Sequence, residues 1–293
     1  MRRLLPVLLL LATGVTTGCA NRGSESSTVL AAAYPFAWAA EQVAGKNATV
    51  TNLVKAGAEP HDIELSPRQV ASFQDAYVVV YLHGFQAAVD DAVSQAPKGA
   101  ALDLTSVVHV QRPDSGLTEA TSTGADPHVW LDPVRMRAIV DAIAVRLVAR
   151  DPSHAAAYRQ RAAATDAKLF ALDALFRRSL QHCARTDIVT SHTAFAYLGR
   201  RYGLHQVGIA GLNPDGEPSP GRLAAVARFA RSHHVTTIFF ESLVDPKLAK
   251  TVASEVGAHT AVLDPVEGVK HGDDYLSVMR RNAAELHTAL GCR

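Results

Sequence analysis

From residue 28 onward the chain alternates between short apolar runs and longer stretches whose apolar residues recur three and four apart. TVLAAAY (28–34) reads as a buried strand, PFAWAAEQVAG (35–45) as a helix closed by glycine, and ATVTNLV (48–54) as a strand entering a loop. SPRQVASFQ (66–74) predicts a helix opened by Ser66 and Pro67, the preferred cap and first-turn pair. AYVVVYLH (76–83) is a β-branched and aromatic strand, and FQAAVDDAVSQ (85–95) a helix. After ADPHVWLDP, a helix capped by Asp132 sets Met136, Ile139, Val140, Ile143 and Leu147 on one face. Strands alternating with helices predict βαβ units and a mainly parallel sheet.

The stretch from Ser153 to His182 breaks this rhythm. It holds no glycine or proline, and Tyr158, Ala162, Thr165, Leu169, Leu172 and Phe176 form one narrow apolar stripe. A single helix here spans roughly 40 Å, longer than a small domain is wide, so it lies along other structure. Alternation then resumes. DIVTSH, LHQVGIAG, VTTIFFES and HTAVLDP read as strands, and TAFAYLGRRYG, SPGRLAAVARFARSHH, DPKLAKTVASEVG and a terminal segment from about Asp274 as helices. The expectation is an α/β protein of two lobes, residues 28–152 and 183–293, joined by the helix 153–182.

The 293 residues suffice for two domains, and 48% apolar content supplies their cores. A net charge of +1 without a basic run argues against nucleic acid as a partner. Residues 1–18 carry two arginines, then an apolar stretch from Leu4 to Ala12, then small residues: a secretory signal too short to span a membrane. TTGCA followed by NRGSESS is similar to a bacterial lipoprotein processing site, with Cys19 lipidated and 19–27 as the linker to the anchor; a plain signal peptide is the alternative. Export leaves Cys183 and Cys292 in an oxidising compartment, which favours a disulfide over two buried thiols.

Candidate chemistry gathers at strand ends. His61, His192 and Asp264 fall just past predicted strands, and His128 sits in a loop leading into a helix. Ligands in open α/β sheets bind beyond those ends, so a cleft between lobes would unite two positions from each. Three imidazoles and a carboxylate suit tetrahedral Zn2+. With thirteen histidines in the chain, spacing alone is only suggestive, and His83, also at a strand end, competes for a ligand role.

GAEPHDIELSP, DPHVWLDP, VTSHTAFAYLGRRYGL, GEPSPGRLAAVARFARSHHVTTIFFES and VLDPVEG together resemble the metal-binding family of ABC-transporter solute-binding lipoproteins, the zinc and manganese receptors. The resemblance covers nearly the whole mature chain. It implies two (β/α)4 lobes joined by a rigid backbone helix, with a metal held in the cleft by His61, His128, His192 and Asp264. Histidine at the third position implies the zinc branch, because an imidazole-rich set is softer than one with a second carboxylate. Glu241 and Glu59 are candidates to hold the outer ring nitrogens of the histidines. Three features depart from the family pattern. The segment before His128 lacks a His-rich loop, Gln86 stands where glutamate is common, and the LDPVEG turn carries an extra residue.

The resemblance therefore implies a non-enzymatic, monomeric receptor, lipid-anchored at the outer face of the cell membrane, that passes Zn2+ to an ABC permease. A receptor for Mn2+ or Fe2+ is the nearest alternative. An exported zinc hydrolase is disfavoured, since four protein ligands leave no position for water and no HExxH motif is present. Nothing in the chain supports an adhesin role.

Overall fold

The computed structural model describes residues 27–112, 117 and 125–293; the expected signal segment and Cys19 lie outside these. The first lobe contains β1 (Thr28–Ala31), α1 (Tyr34–Ala44), β2 (Thr49–Asn52), α2 (Pro67–Ser72), β3 (Val78–Tyr81), α3 (Ala87–Val93), β4 (Ala101–Asp103) and α4 (Pro133–Arg150). The second contains β5 (Asp187–Thr190), α6 (Ala196–Tyr202), β6 (His205–Gly208), α7 (Pro220–Ser232), β7 (Thr237–Phe240), α8 (Lys247–Val256), β8 (His259–Val262) and α9 (Tyr275–Leu290). Between them runs α5 (Ala155–Ser179), preceded by a single 3-10 turn at Pro152–His154.

Both sheets are parallel and wound alike, in the orders β2-β1-β3-β4 and β6-β5-β7-β8. The chain leaves β1 in one direction and returns to β3 on the other side, and β5 and β7 repeat the move. Each sheet thus has a point where loops diverge above adjacent strands and open a crevice. Central β3 is buried along its whole length, whereas edge strand β2, Thr-Val-Thr-Asn, alternates exposed and partly buried positions. The three-residue β4 has no pattern of its own to read. Only its pairing with β3, Val79 opposite Ala101, makes it a strand.

The helix caps follow the sequence. Ser66 and Gln69 form a reciprocal capping box on α2, and Asp132, Ser219 and Asp274 accept backbone N–H groups at the starts of α4, α7 and α9. On α5 the stripe Tyr158, Ala162, Thr165, Leu169, Leu172 and Phe176 is buried, against α4, α1 and α9.

One buried apolar cluster runs from Val29 in the first lobe through α4 and α5 to Phe195, Leu263, Tyr275 and Leu290 in the second. A smaller core beneath α7 and α8 is built from second-lobe residues, with Leu117 of the first lobe packed against it. The lobes therefore share a close-packed spine, which resists large hinge motion and leaves the loops above the sheets as the mobile candidates. Cys183 and Cys292 are disulfide-bonded across a separation of 109 residues, tying the end of α9 to the start of the second lobe.

Candidate metal centre

Four elements present donors to one point between the lobes. His61 comes from the loop after β2. Its backbone N–H donates to Glu59 Oε1 (2.8 Å), and the Pro60 carbonyl before it accepts from Gln86 Nε2 (2.7 Å). Gln86 is itself buried and also donates to Ala32 O above β1 (3.1 Å). A neutral amide donates to both carbonyls where an ionised carboxylate could not. The His61 ring packs edge-on against Phe85, 5.0 Å between centroids.

His128 leads into a 3-10 turn (Val129–Leu131) and then α4. Its backbone N–H and its ring Nδ1–H both donate to Asp126 Oδ1, at 3.0 and 2.8 Å. Helix α6 of the other lobe clamps this segment. Tyr197 Oη donates to the Asp126 carbonyl (2.9 Å), and Arg201 pairs with Asp132 (2.7 Å). His192, just past β5, donates from Nδ1 to Glu241 Oε1 (2.7 Å), which also takes the Ser191 hydroxyl (2.7 Å). Glu241 follows β7, so this pair sits on the divergence point of the second sheet.

With both Nδ1 atoms protonated by this arrangement, His128 and His192 aim Nε2 lone pairs inward. The two Nε2 atoms are 3.2 Å apart. Glu267 Oε1 lies 3.1 Å from His61 Nε2, 3.1 Å from His128 Nε2 and 3.8 Å from His192 Nε2. A tetrahedron with bonds of about 2.05 Å has edges of roughly 3.3 Å, so these separations suit one shared Zn2+. Among the described residues this is the one convergent group of such donors, all within 4.8 Å of one another.

The electrostatics follow from burial and crowding. Burial alone would raise Glu267, but hydrogen bonds from His128 and His61 and the charge of His192 hold its carboxyl well below the usual range. Burial opposes charging of His128, yet Asp126 and Glu267 outweigh it and push the ring up to about 9. His192 is raised in the same way against burial, by Glu241, whereas burial wins at His61 and lowers it. Glu59 is pushed up to about 7 by burial and by the charge of Glu267, and its Oε2 is buried without a hydrogen-bond partner.

The sequence-expected residues separate as follows. His61, His128 and His192 converge, and Glu241 backs His192 directly. Glu59 holds the His61 backbone, with its carboxylate 3.8 Å from His61 Nε2. His83 stands apart, its side chain 67% exposed and paired with Asp90. Asp264 is outside the convergent group. Its carboxylate accepts from the Val266 N–H (2.8 Å) and the Ser242 hydroxyl, and the fourth donor is Glu267, three residues on. The signal for Glu267 was the extra residue of LDPVEG, which lets the turn carry a glutamate back toward the cleft. Asp126 was also missed, although the DPH motif holds it two residues before the ring it supports.

Two parallel α/β lobes on a shared helical spine, with a closed donor set buried between them, define a binding protein for a single metal ion. The chain belongs to the ZnuA family, described as the periplasmic component A of a zinc-uptake complex, whose model matches residues 29–289. It is 35% identical over 290 residues to the high-affinity zinc uptake system protein ZnuA of Bacillus subtilis (strain 168), covering 94% of this chain and 91% of that protein. It is 34% identical to the zinc-binding lipoprotein AdcA of Streptococcus pneumoniae serotype 4, covering 92% of this chain but 57% of that longer relative. Among solved structures, the Zn(II)-bound ZnuA-like domain of Streptococcus pneumoniae AdcA has a TM-score of 0.76 at 33% identity, covering 90% of this chain and 99% of that one. The laminin binding protein Lmb of Streptococcus agalactiae, described as having adhesin and metal transporting activity, has a TM-score of 0.82 at 31% identity, covering 90% and 99%.

Proposed function

We propose that this protein captures one Zn2+ outside the cytoplasmic membrane and delivers it to the permease of an ABC importer, with His61, His128, His192 and Glu267 as ligands. The observation that carries the reading is the convergence of three imidazole nitrogens and one carboxylate oxygen, all within 4.8 Å of one another. The carboxylates behind His128 and His192 fix the ring orientation that zinc needs. Three imidazoles favour Zn2+ over Mn2+ beyond the intrinsic affinity order.

A closed four-ligand shell suits carriage, because it leaves no coordination position for a reacting water. The ring of His61 is the donor nearest solvent, its side chain 8% exposed against 0% for His128 and His192. Zinc therefore leaves past the His61 loop, once its ligands are drawn apart or protonated. The expected signal segment and Cys19 support export and a lipid anchor, and the protein acts as a monomer tethered beside its permease. Among the described residues no helix is long and apolar enough to cross a membrane.

The test is metal titration of the mature chain. One tight Zn2+ per chain, with Mn2+ bound far more weakly, is the expected result; two tight sites or selection of Mn2+ would overturn the reading. Loss of membrane attachment in a Cys19→Ala variant tests the anchor separately.

A further inference from the structure

The carboxylate singled out by sequence, Asp264, is not in the donor group, yet it lies in the turn that delivers Glu267. That turn holds an unusual backbone. Val266 has φ of +61°, in the left-handed region, and is fully buried. β-Branched residues avoid this region because Cβ and its substituents crowd the carbonyl oxygens, so surrounding contacts must hold Val266 there.

Those contacts centre on Asp264. Its Oδ1 accepts the Val266 N–H at 2.8 Å, closing a side-chain turn over the distorted residue. Its Oδ2 accepts the Ser242 hydroxyl. Asn282 on α9 clamps the backbone of Asp264 from both sides, accepting its N–H (3.0 Å) and donating to its carbonyl (2.7 Å). Trp130 of the first lobe donates from Nε1 to the Pro265 carbonyl (2.7 Å), and it lies two residues past His128. The turn is thus fastened to the end of the neighbouring strand β7, to α9 and to the segment carrying another proposed ligand.

We propose that Asp264 is a positioning residue: it holds Val266 in the left-handed conformation and thereby aims Glu267 at the three histidines. This rests on Glu267 being a zinc ligand. Without the side-chain turn, Val266 relaxes toward negative φ, the peptide between it and Glu267 rotates, and the glutamate swings away from the site. The histidines remain, so zinc still binds, but more weakly.

The experiment is zinc affinity by chelator competition on the full mature chain, with thermal melts to confirm folding. Glu267→Ala should weaken binding by roughly 10–100-fold, and Asp264→Ala by a similar factor. The double variant should be no weaker than Glu267→Ala alone, because Asp264 acts only through Glu267. Adding Val266→Gly to Asp264→Ala should restore most of the loss, since glycine adopts positive φ without the side-chain turn. Asp264→Asn, whose amide oxygen still accepts the Val266 N–H, should bind zinc nearly as the parent does.

An unchanged affinity in Glu267→Ala would overturn the ligand reading itself. If Glu267→Ala weakens zinc and Asp264→Ala does not, the ligand reading stands and the positioning role fails. Further loss in the double variant, with a weakened Asp264→Asn and no rescue by glycine, would make Asp264 a ligand in its own right.

Discussion

The two lobes solve the same problem with different chemistry at equivalent places. Each sheet diverges above its central strand pair, β1/β3 in the first lobe and β5/β7 in the second. In the second lobe a carboxylate at that point, Glu241, holds an imidazole, His192. In the first lobe a neutral amide, Gln86, holds backbone instead, at Ala32 and Pro60. The second lobe therefore presents its histidine straight from a strand end, while the first presents His61 from a loop pinned at a few points. His128 crosses between them: its residues belong to the first lobe, but Tyr197 and Arg201 of the second hold its flanks.

This contrast can be broken most directly at the proposed ligands. His192→Ala should weaken zinc binding by more than about 100-fold while leaving the melting transition of the metal-free protein nearly unchanged, as read by chelator competition and circular dichroism. His192→Glu should keep a fourth contact and narrow the ratio of Zn2+ to Mn2+ affinity, because a second carboxylate hardens the set. An unchanged ratio would remove His192 from the shell.

Next come the supporting carboxylates. Glu241→Gln and Asp126→Asn should each cost roughly 10–100-fold in zinc affinity, since an amide can present the wrong group to Nδ1–H and supports the ring less. If Asp126→Asn were harmless while Glu241→Gln was not, the second lobe alone would define the site.

Proton competition should be milder, about tenfold in affinity per pH unit while one proton is displaced. In the metal-free protein His128 is raised to about 9 from an ordinary 6.5. A raised imidazole contributes stability that is complete below pH 6.5 and fades as pH rises to about 9. The metal-free protein should therefore lose stability across that window, and zinc binding at pH 7 should release at least one proton, since His192 is raised as well. Calorimetry in buffers of different ionisation enthalpy reads that release directly.

Gln86→Ala should have a smaller effect, read most clearly in kinetics. Removing two hydrogen bonds loosens the His61 loop and should raise the zinc dissociation rate several-fold in stopped-flow chelator chase. The smallest effect on binding should come from Cys183→Ser with Cys292→Ser. Chain entropy assigns a closed loop of this size up to roughly 4–5 kcal/mol of stability. Ala184 and Arg185 already donate backbone N–H groups to Gly291 and Leu290 across the junction, and the disulfide lies away from the donor set. The melting temperature should fall with zinc affinity unchanged.

Much of this architecture was legible in the chain because periodicity and caps are local. The stripe on α5, the capping residues Ser66, Asp132 and Ser219, and seven of the eight strands stand where the pattern put them. The eighth, β4, is three residues long and owes its form to pairing alone. At the site, strand-end position alone was only suggestive among thirteen histidines, and the family resemblance of EPH, DPH and TSH pointed to the three that converge. The fourth could not be chosen that way, because Asp264 and Glu267 occupy one short turn and both are carboxylates.

What the sequence determined by itself was nearly all of the elements, their order and the types of donor at their ends. Those depend on residues near one another in the chain. Which donors meet was decided by tertiary structure. The left-handed Val266, the grip of Asn282 from α9 and that of Trp130 from the other lobe turn Glu267 inward and keep Asp264 in the turn. The support of His128 by Asp126 likewise gains its rigidity from Tyr197, 71 residues away. A metal site requires several donors within a few ångströms of one point, and only the packing of distant segments fixes positions to that tolerance.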